Sequence, residues 1–215
     1  MKKGLTELVF ILDRSGSMSG LKNDTIGGYN AMLEKQRNEP GEAIITTVLF
    51  DNEYELLHDR INLRGIKPIT EKEYYVRGAT ALLDAIGKTI HKTINVQKHT
   101  SDDERAERVM FVIITDGMEN ASREFDYKTI NALIEQQKSL YGWEFLFLGA
   151  NIDAIATAKR FGIDEDRAAN YMADSAGTRL NYCVLNEAVC NFRAGNAISR
   201  DWKKKIDEDF KKRGK

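Results

Sequence analysis

Apolar positions along this chain follow two rhythms. In residues 8–12, 44–50, 109–115 and 143–148 nearly every position is apolar, with Val, Ile, Leu and Phe dominating. Such short continuous runs predict strands buried on both faces. Between them apolar residues recur at every third or fourth position, which predicts helices over residues 21–38, 80–96, 127–141, 154–161 and 178–192. In the first of these, Leu21, Thr25, Tyr29, Met32, Leu33 and Gln36 share a face, Pro40-Gly41 provides the stop, and Ser19 is a candidate cap. Gly27-Gly28 within it costs helix stability and predicts close packing against the sheet or a local irregularity.

Two further strands complete the pattern. Asn52-Glu53 allows a tight turn into residues 54–58, an antiparallel partner at the sheet edge, and residues 168–172 form a short last strand. Residues 61–78 read as irregular, and the polar segment QKHTSDDERAER (residues 97–108) as an exposed loop. Alternating strands and helices predict an α/β fold: a doubly wound, mostly parallel six-stranded sheet with one antiparallel edge strand and helices on both faces. The expected domain covers residues 1–195. A charged helical tail follows over 196–215, in which Trp202, Ile206 and Phe210 lie on one face, as expected of a helix docked on its own domain, with a partner-binding helix as the alternative.

Composition narrows the function. A formal net charge of -1 over 215 residues gives no global field to recruit nucleic acid or an anionic membrane. The basic start and short apolar run of MKKGLTELVFILDRSGS are too short to span a bilayer, and Asp13-Arg14 follows in place of a cleavage site. Cys183 and Cys190 are the only cysteines, and on one helix they stand about 10 Å apart, too far for a disulfide. They read as two small buried residues. These features lead us to expect a cytoplasmic protein. His58, His91 and His99 have no zinc-like spacing.

The candidate chemistry begins where the first strand ends. In LVFILDRSGSMSG (residues 8–20) a buried run gives way to Asp13, Ser15 and Ser17. Strand ends are where ligands gather in doubly wound sheets, outside the carboxyl edge at the switch point of the winding. Thr80 in GATALLDA and Asp116 in ITDG bring two more oxygen-bearing segments to that edge, and Asn151 falls past the end of another strand, with Asp153 near it. Hard oxygen donors of this kind suit Mg2+, with Mn2+ or Ca2+ as other possibilities.

The set Asp-x-Ser-x-Ser, then Thr within Gly-x-Thr-x-Leu, then Asp-Gly after a buried strand, resembles the metal-ion-dependent adhesion site of von Willebrand factor type A domains. The resemblance covers residues 5–192. It implies strand order 3-2-1-4-5-6. It also implies that Ser15, Ser17 and Thr80 ligate the metal while Asp13 and Asp116 hold waters and orient the hydroxyls. A metal held in this way recruits a Glu or Asp from a protein partner. The absence of a disulfide framework resembles the stand-alone intracellular members of bacteria and phages, some in stress-resistance (tellurite) clusters and some adaptors of AAA-type ATPases. The family further implies a shift of the last long helix on ligand engagement.

An enzyme is the alternative: a Mg2+-dependent phosphohydrolase with Asp13 as nucleophile. That chemistry favours a second carboxylate on the same loop, where Ser15 stands, and a positioned cation such as Arg14 or Arg77. A phosphate-cradling GK[ST] loop is absent from the sequence, and three scattered histidines suggest no Ser-His-Asp set. The expectation is a binding module without catalytic residues.

Overall fold

The structure, a computed structural model, describes residues 1–214. The strands are β1 (Lys2–Asp13), β2 (Glu42–Phe50), β3 (Tyr54–Asn62), β4 (Ala106–Thr115), β5 (Glu144–Gly149) and β6 (Ala168–Asn170). The helices are α1 (Lys22–Arg37), α2 (Leu82–His99), α3 (Tyr127–Tyr141), α4 (Ala154–Arg160), α5 (Ser175–Arg193) and α6 (Lys204–Arg213). They build one six-stranded sheet in the order β3-β2-β1-β4-β5-β6. All pairings are parallel except β2 with β3. The doubly wound sheet and its antiparallel edge are as the sequence predicts.

Strand periodicity explains why both faces are covered. Along β1, Leu8, Phe10 and Leu12 point to one side and Val9 and Ile11 to the other, all at most 1% exposed. The first set meets Tyr29, Met32 and Leu33 of α1 and Tyr182, Leu185 and Val189 of α5. The second meets Leu82, Ile86 and Ile90 of α2, Ile130 and Ile134 of α3, and Ala154 and Ala158 of α4. No helix among the described residues is long and apolar enough to cross a membrane.

Several local expectations need correction. The polar segment at 97–108 is only half loop: α2 runs on to His99 and β4 begins at Ala106, leaving residues 100–105 between them. Its polarity reflects exposed helix and strand ends rather than a long loop. Similarly, β3 extends to Asn62 because it pairs with β2 as far as Ile44. Ser19 does not cap α1. Residues Gly16–Leu21 form a 3-10 turn that feeds α1 directly, with Leu21 at the cap position and no side-chain cap bond. Gly28 meets the ring of Tyr182 on α5 rather than the sheet; a Cβ there would lie 2.3 Å from a ring carbon. Finally, Cys183 is exposed and Cys190 half-buried, both as free thiols, because they sit on the flank of α5 turned from the core.

The tail packs on the sheet's open edge beside β6. Ile206 is 1% exposed, the indole N–H of Trp202 donates to the carbonyl of Asp166 at 2.7 Å, and Lys203 Nζ donates to the carbonyls of Ala168 at 2.5 Å and Glu165 at 2.8 Å. Arg213 closes the contact on Asp174, the residue capping α5.

Candidate metal centre

The carboxyl ends of β1 and β4 and the loop before α2 meet at one point. Asp13 terminates β1 and is 1% exposed. Its Oδ1 accepts the backbone N–H of Ser15 at 2.7 Å, and its Oδ2 accepts the hydroxyl of Thr115, the last residue of β4, at 2.5 Å. The carboxylate therefore ties the two central strands together at their ends. The turn after it brings Ser15 Oγ to 3.1 Å from Ser17 Oγ, and Ser17 Oγ donates to Asp116 Oδ1 at 2.5 Å.

Thr80 enters from a loop held at both ends. Its N–H donates to Asn120 Oδ1 at 2.9 Å, and the N–H of Asn120 donates to the Thr80 carbonyl at 3.0 Å. The neighbouring Ala81 N–H donates to the carbonyl of Asp51 at 2.8 Å. Gly78, at φ +67, makes the turn beforehand in the left-handed conformation that favours glycine, and a Cβ there would fall 2.0 Å from Asn52 Oδ1. Its carbonyl accepts the Gly16 N–H at 3.1 Å, which joins this loop to the serine turn.

Gly117 locates the convergence. A Cβ built on it would lie 3.1 Å from Thr80 Oγ1, 3.2 Å from Ser17 Oγ and 3.9 Å from Ser15 Oγ. Three hydroxyls from two chain segments, the serine turn and the Thr80 loop, thus surround one small space that the missing side chain of Gly117 leaves open. Asp13 and Asp116 border it, and burial raises both carboxyls, that of Asp13 to about 6. Buried carboxylates beside hard hydroxyl donors are the chemistry of a site for a hard divalent cation, whose charge offsets their desolvation. Among the described residues no cluster of three or more His, Cys, Asp or Glu side chains is placed to hold a metal; the oxygens gathered here are those of three hydroxyls and two carboxylates.

Asn151 is exposed at φ +54, and Asp153 caps α4, its Oδ1 accepting the Ala156 N–H at 2.9 Å.

Sequence reasoning missed a supporting layer. Arg14 is wholly buried, and its Nε donates to Asp51 Oδ2 at 2.9 Å while Nη1 donates to Glu55 Oε2 at 2.5 Å. Arg77 Nε reaches the same Asp51 oxygen at 2.8 Å, and the Tyr75 ring covers both guanidinium groups at 4.7 and 5.3 Å. On the opposite side Glu119 accepts N–H bonds from Leu83, Ala121 and Ser122, pinning the loop after β4 to the start of α2. The available signal was Asp51, a carboxylate closing the strand next to β1 just as Asp13 closes β1 itself.

Comparison with solved structures places this architecture. Proximal thread matrix protein 1 from the mussel byssus, with a zinc-occupied MIDAS motif, matches at a TM-score of 0.59 and 11% identity over 86% of this chain and 46% of its own. The ArnB paralog VWA2 from Sulfolobus acidocaldarius matches at 0.54 and 21% identity over 87% and 45%. A von Willebrand factor type A protein from Catenulispora acidiphila matches at 0.57 and 11% identity over 86% and 42%. This chain therefore spans less than half the length of each of these structures. No protein-family model and no curated protein sequence matches the chain. With its sheet order, its antiparallel edge and these structural matches, the chain has the von Willebrand factor type A fold.

Proposed function

We propose that this protein is a metal-dependent protein-binding module in which Ser15, Ser17 and Thr80 hold Mg2+, with Asp13 and Asp116 supporting the site from behind. The observation that carries this reading is the cradle of three hydroxyls around the space beside Gly117. Both oxygens of Asp13 already accept hydrogen bonds, which suits a carboxylate that orients donors and reaches a metal through water. A divalent cation held mainly by neutral hydroxyls keeps much of its positive charge and attracts an anion from outside. The partner group of matching chemistry is a Glu or Asp side chain on another protein, because Gly16, Ser17 and Met118 leave the rim exposed. The zinc-occupied MIDAS motif of the byssus protein supports metal binding at a site on this fold.

The phosphohydrolase reading draws less support. Arg14 and Arg77, the cations nearest the site, are committed to Asp51, Glu53 and Glu55 and do not stand free to meet a phosphoryl group.

Calorimetric titration with Mg2+ and Mn2+ tests the reading. Wild type should bind one ion, and Ser15→Ala and Asp116→Ala should lose affinity by about tenfold or more while unfolding cooperatively. Unchanged affinity in Asp116→Ala would refute the assignment. A partner recovered in Mg2+ should be released by EDTA.

A further inference from the structure

At the opposite pole of the sheet, by the amino ends of β4 and β5, lies a cavity of about 780 Å³. It is roughly 30 Å from the metal site, the length of β4 at about 3.3 Å per residue. The volume falls within the range of small-molecule sites. Its floor is apolar: Val109 and Trp143 are 3% and 6% exposed, and the Trp143 ring stacks on Phe111 with centroids 5.4 Å apart. Ile94 of α2 forms one wall.

Two features distinguish it from an ordinary surface hollow. First, Met1, Leu140 and Tyr141 line it at 64–67% exposure, half of the six large apolar side chains exposed among the described residues. Second, two polar atoms on its lining are buried without a partner: Oε1 of Gln137, a residue only 2% exposed, and Nε of Arg105. A buried acceptor and a buried donor without partners each destabilise the fold, a cost that a bound group of complementary chemistry removes.

The charges bias the chemistry further. Among the acidic groups on the lining, Asp102 is paired with Arg105 Nη1 at 3.1 Å and Glu107 accepts the Gly4 N–H at 2.7 Å. Glu7, behind Gln97, accepts its amide at 2.6 Å. Lys98 also lines the cavity, is exposed and makes no ion pair among the described residues. Among those residues Lys98 is thus the side-chain cation on the lining without an ion-pair partner, and Glu107 the carboxylate without one.

We propose that this cavity is a second binding site, for a small aromatic ligand bearing a hydrogen-bond donor and an anionic acceptor group. The ring lies over Trp143 and Val109, the donor meets Gln137 Oε1, and the anion meets Arg105 Nε and Lys98. Such a site stands apart from the metal and needs none.

Anilinonaphthalene sulfonate carries all three features and reports binding by fluorescence. On the full chain it should bind saturably, one per chain. Gln137→Leu and the exposed Lys98→Glu should each weaken it by roughly three- to tenfold. Asp116→Ala and EDTA should leave it unchanged. The proposal is overturned by non-saturating binding, or by equal affinity in both cavity variants when their unfolding transitions match wild type. It is equally overturned if the probe competes with self-association seen by sedimentation, which would make a second copy the occupant.

Discussion

Arg14 and Asp51 form a fully buried ion pair, with Nε 2.9 Å from Oδ2 and neither side chain exposed. They come from the ends of adjacent parallel strands, one immediately before the serine turn. Because Arg77 shares the same oxygen, and its N–H donates to the Arg14 carbonyl at 2.9 Å, the pair also fixes the loop that delivers Thr80. A guanidinium between two hydroxyl-bearing segments thus acts as their common anchor.

Arg14→Leu tests that anchor. Removing one partner of a buried pair leaves the other charge under-compensated, at a cost of about 3 kcal/mol, the lower end of the usual range because Arg77 remains. Metal affinity should fall about tenfold alongside, since the turn loses its reference. Denaturant unfolding and calorimetry measure the two effects. A variant of wild-type stability would show that Arg77 alone holds Asp51.

Gly117→Ala probes the cradle with a single methyl group. Gly117 does not have a positive φ, so alanine meets no backbone penalty, but its Cβ would sit 3.1 Å from Thr80 Oγ1 and 3.2 Å from Ser17 Oγ. Stability should change by less than about 1 kcal/mol, while Mg2+ affinity should drop about tenfold or more as the methyl group enters the space between hydroxyls. Equal affinity would place any metal elsewhere.

What the sequence disclosed and what it hid follow from how each residue acts. Strand ends are legible because β1 and β4 switch abruptly from apolar runs to Asp13 and Asp116, a local contrast that needs no tertiary knowledge. The bringing together of Ser15, Ser17 and Thr80 could be expected from a resemblance, yet the distances needed coordinates. Arg14 was hidden for a physical reason. An arginine reads as exposed by default, and its burial depends on Asp51 and Glu55, which are 37 and 41 residues away. Segment 97–108 misled because charge on a helix end and on a strand end looks the same in one dimension as charge on a loop.

The pH dependence of stability should carry a signature of His58. Burial lowers its pKa below the usual 6.5, and its Nδ1 lies 3.0 Å from Thr47 Oγ1, a hydroxyl that also meets Tyr29 at 2.6 Å. With the folded value depressed, the unfolded chain takes up the proton first as pH falls through 6.5. This histidine therefore stabilises the fold above that pH, and its contribution is lost on acidification down to the folded value. Metal-free Asp13 works in the other direction, since its raised folded value adds stability as pH falls below about 6. The informative quantity is therefore the difference between wild type and His58→Gln, measured by denaturant unfolding from about pH 7.5 to about pH 5, which brackets the ordinary histidine value of about 6.5. Wild type should lose stability relative to the variant on acidification. Parallel profiles would mean that His58 is protonated as easily in the fold as outside it.

The tail offers the last test. Although residues 196–214 are strongly charged, they contribute Ile206 to the same apolar cluster as Leu8 and Tyr182. They also satisfy three carbonyls of the segment around β6: those of Glu165, Asp166 and Ala168. Trp202 is half-buried against that cluster, and Arg213 reaches Asp174, whose Oδ1 accepts the Gly177 N–H at 2.8 Å in capping α5. Ending the chain at Gly195 would expose the surface beneath Ile206 and strip those carbonyls of their donors. Burial of one isoleucine contributes about 2 kcal/mol, and each lost bond to a charged or indole donor about 1 kcal/mol more. A chain of residues 1–195 should therefore unfold at least about 3 kcal/mol more easily than the full chain, with protease cleavage appearing first near β6 and the start of α5. Because the hydroxyl cradle lies on β1, β4 and the loop before α2, Mg2+ affinity of the folded fraction should be unchanged. Coincident unfolding curves would make the tail an appendage, and a loss of Mg2+ binding would tie the tail to the metal site through α5.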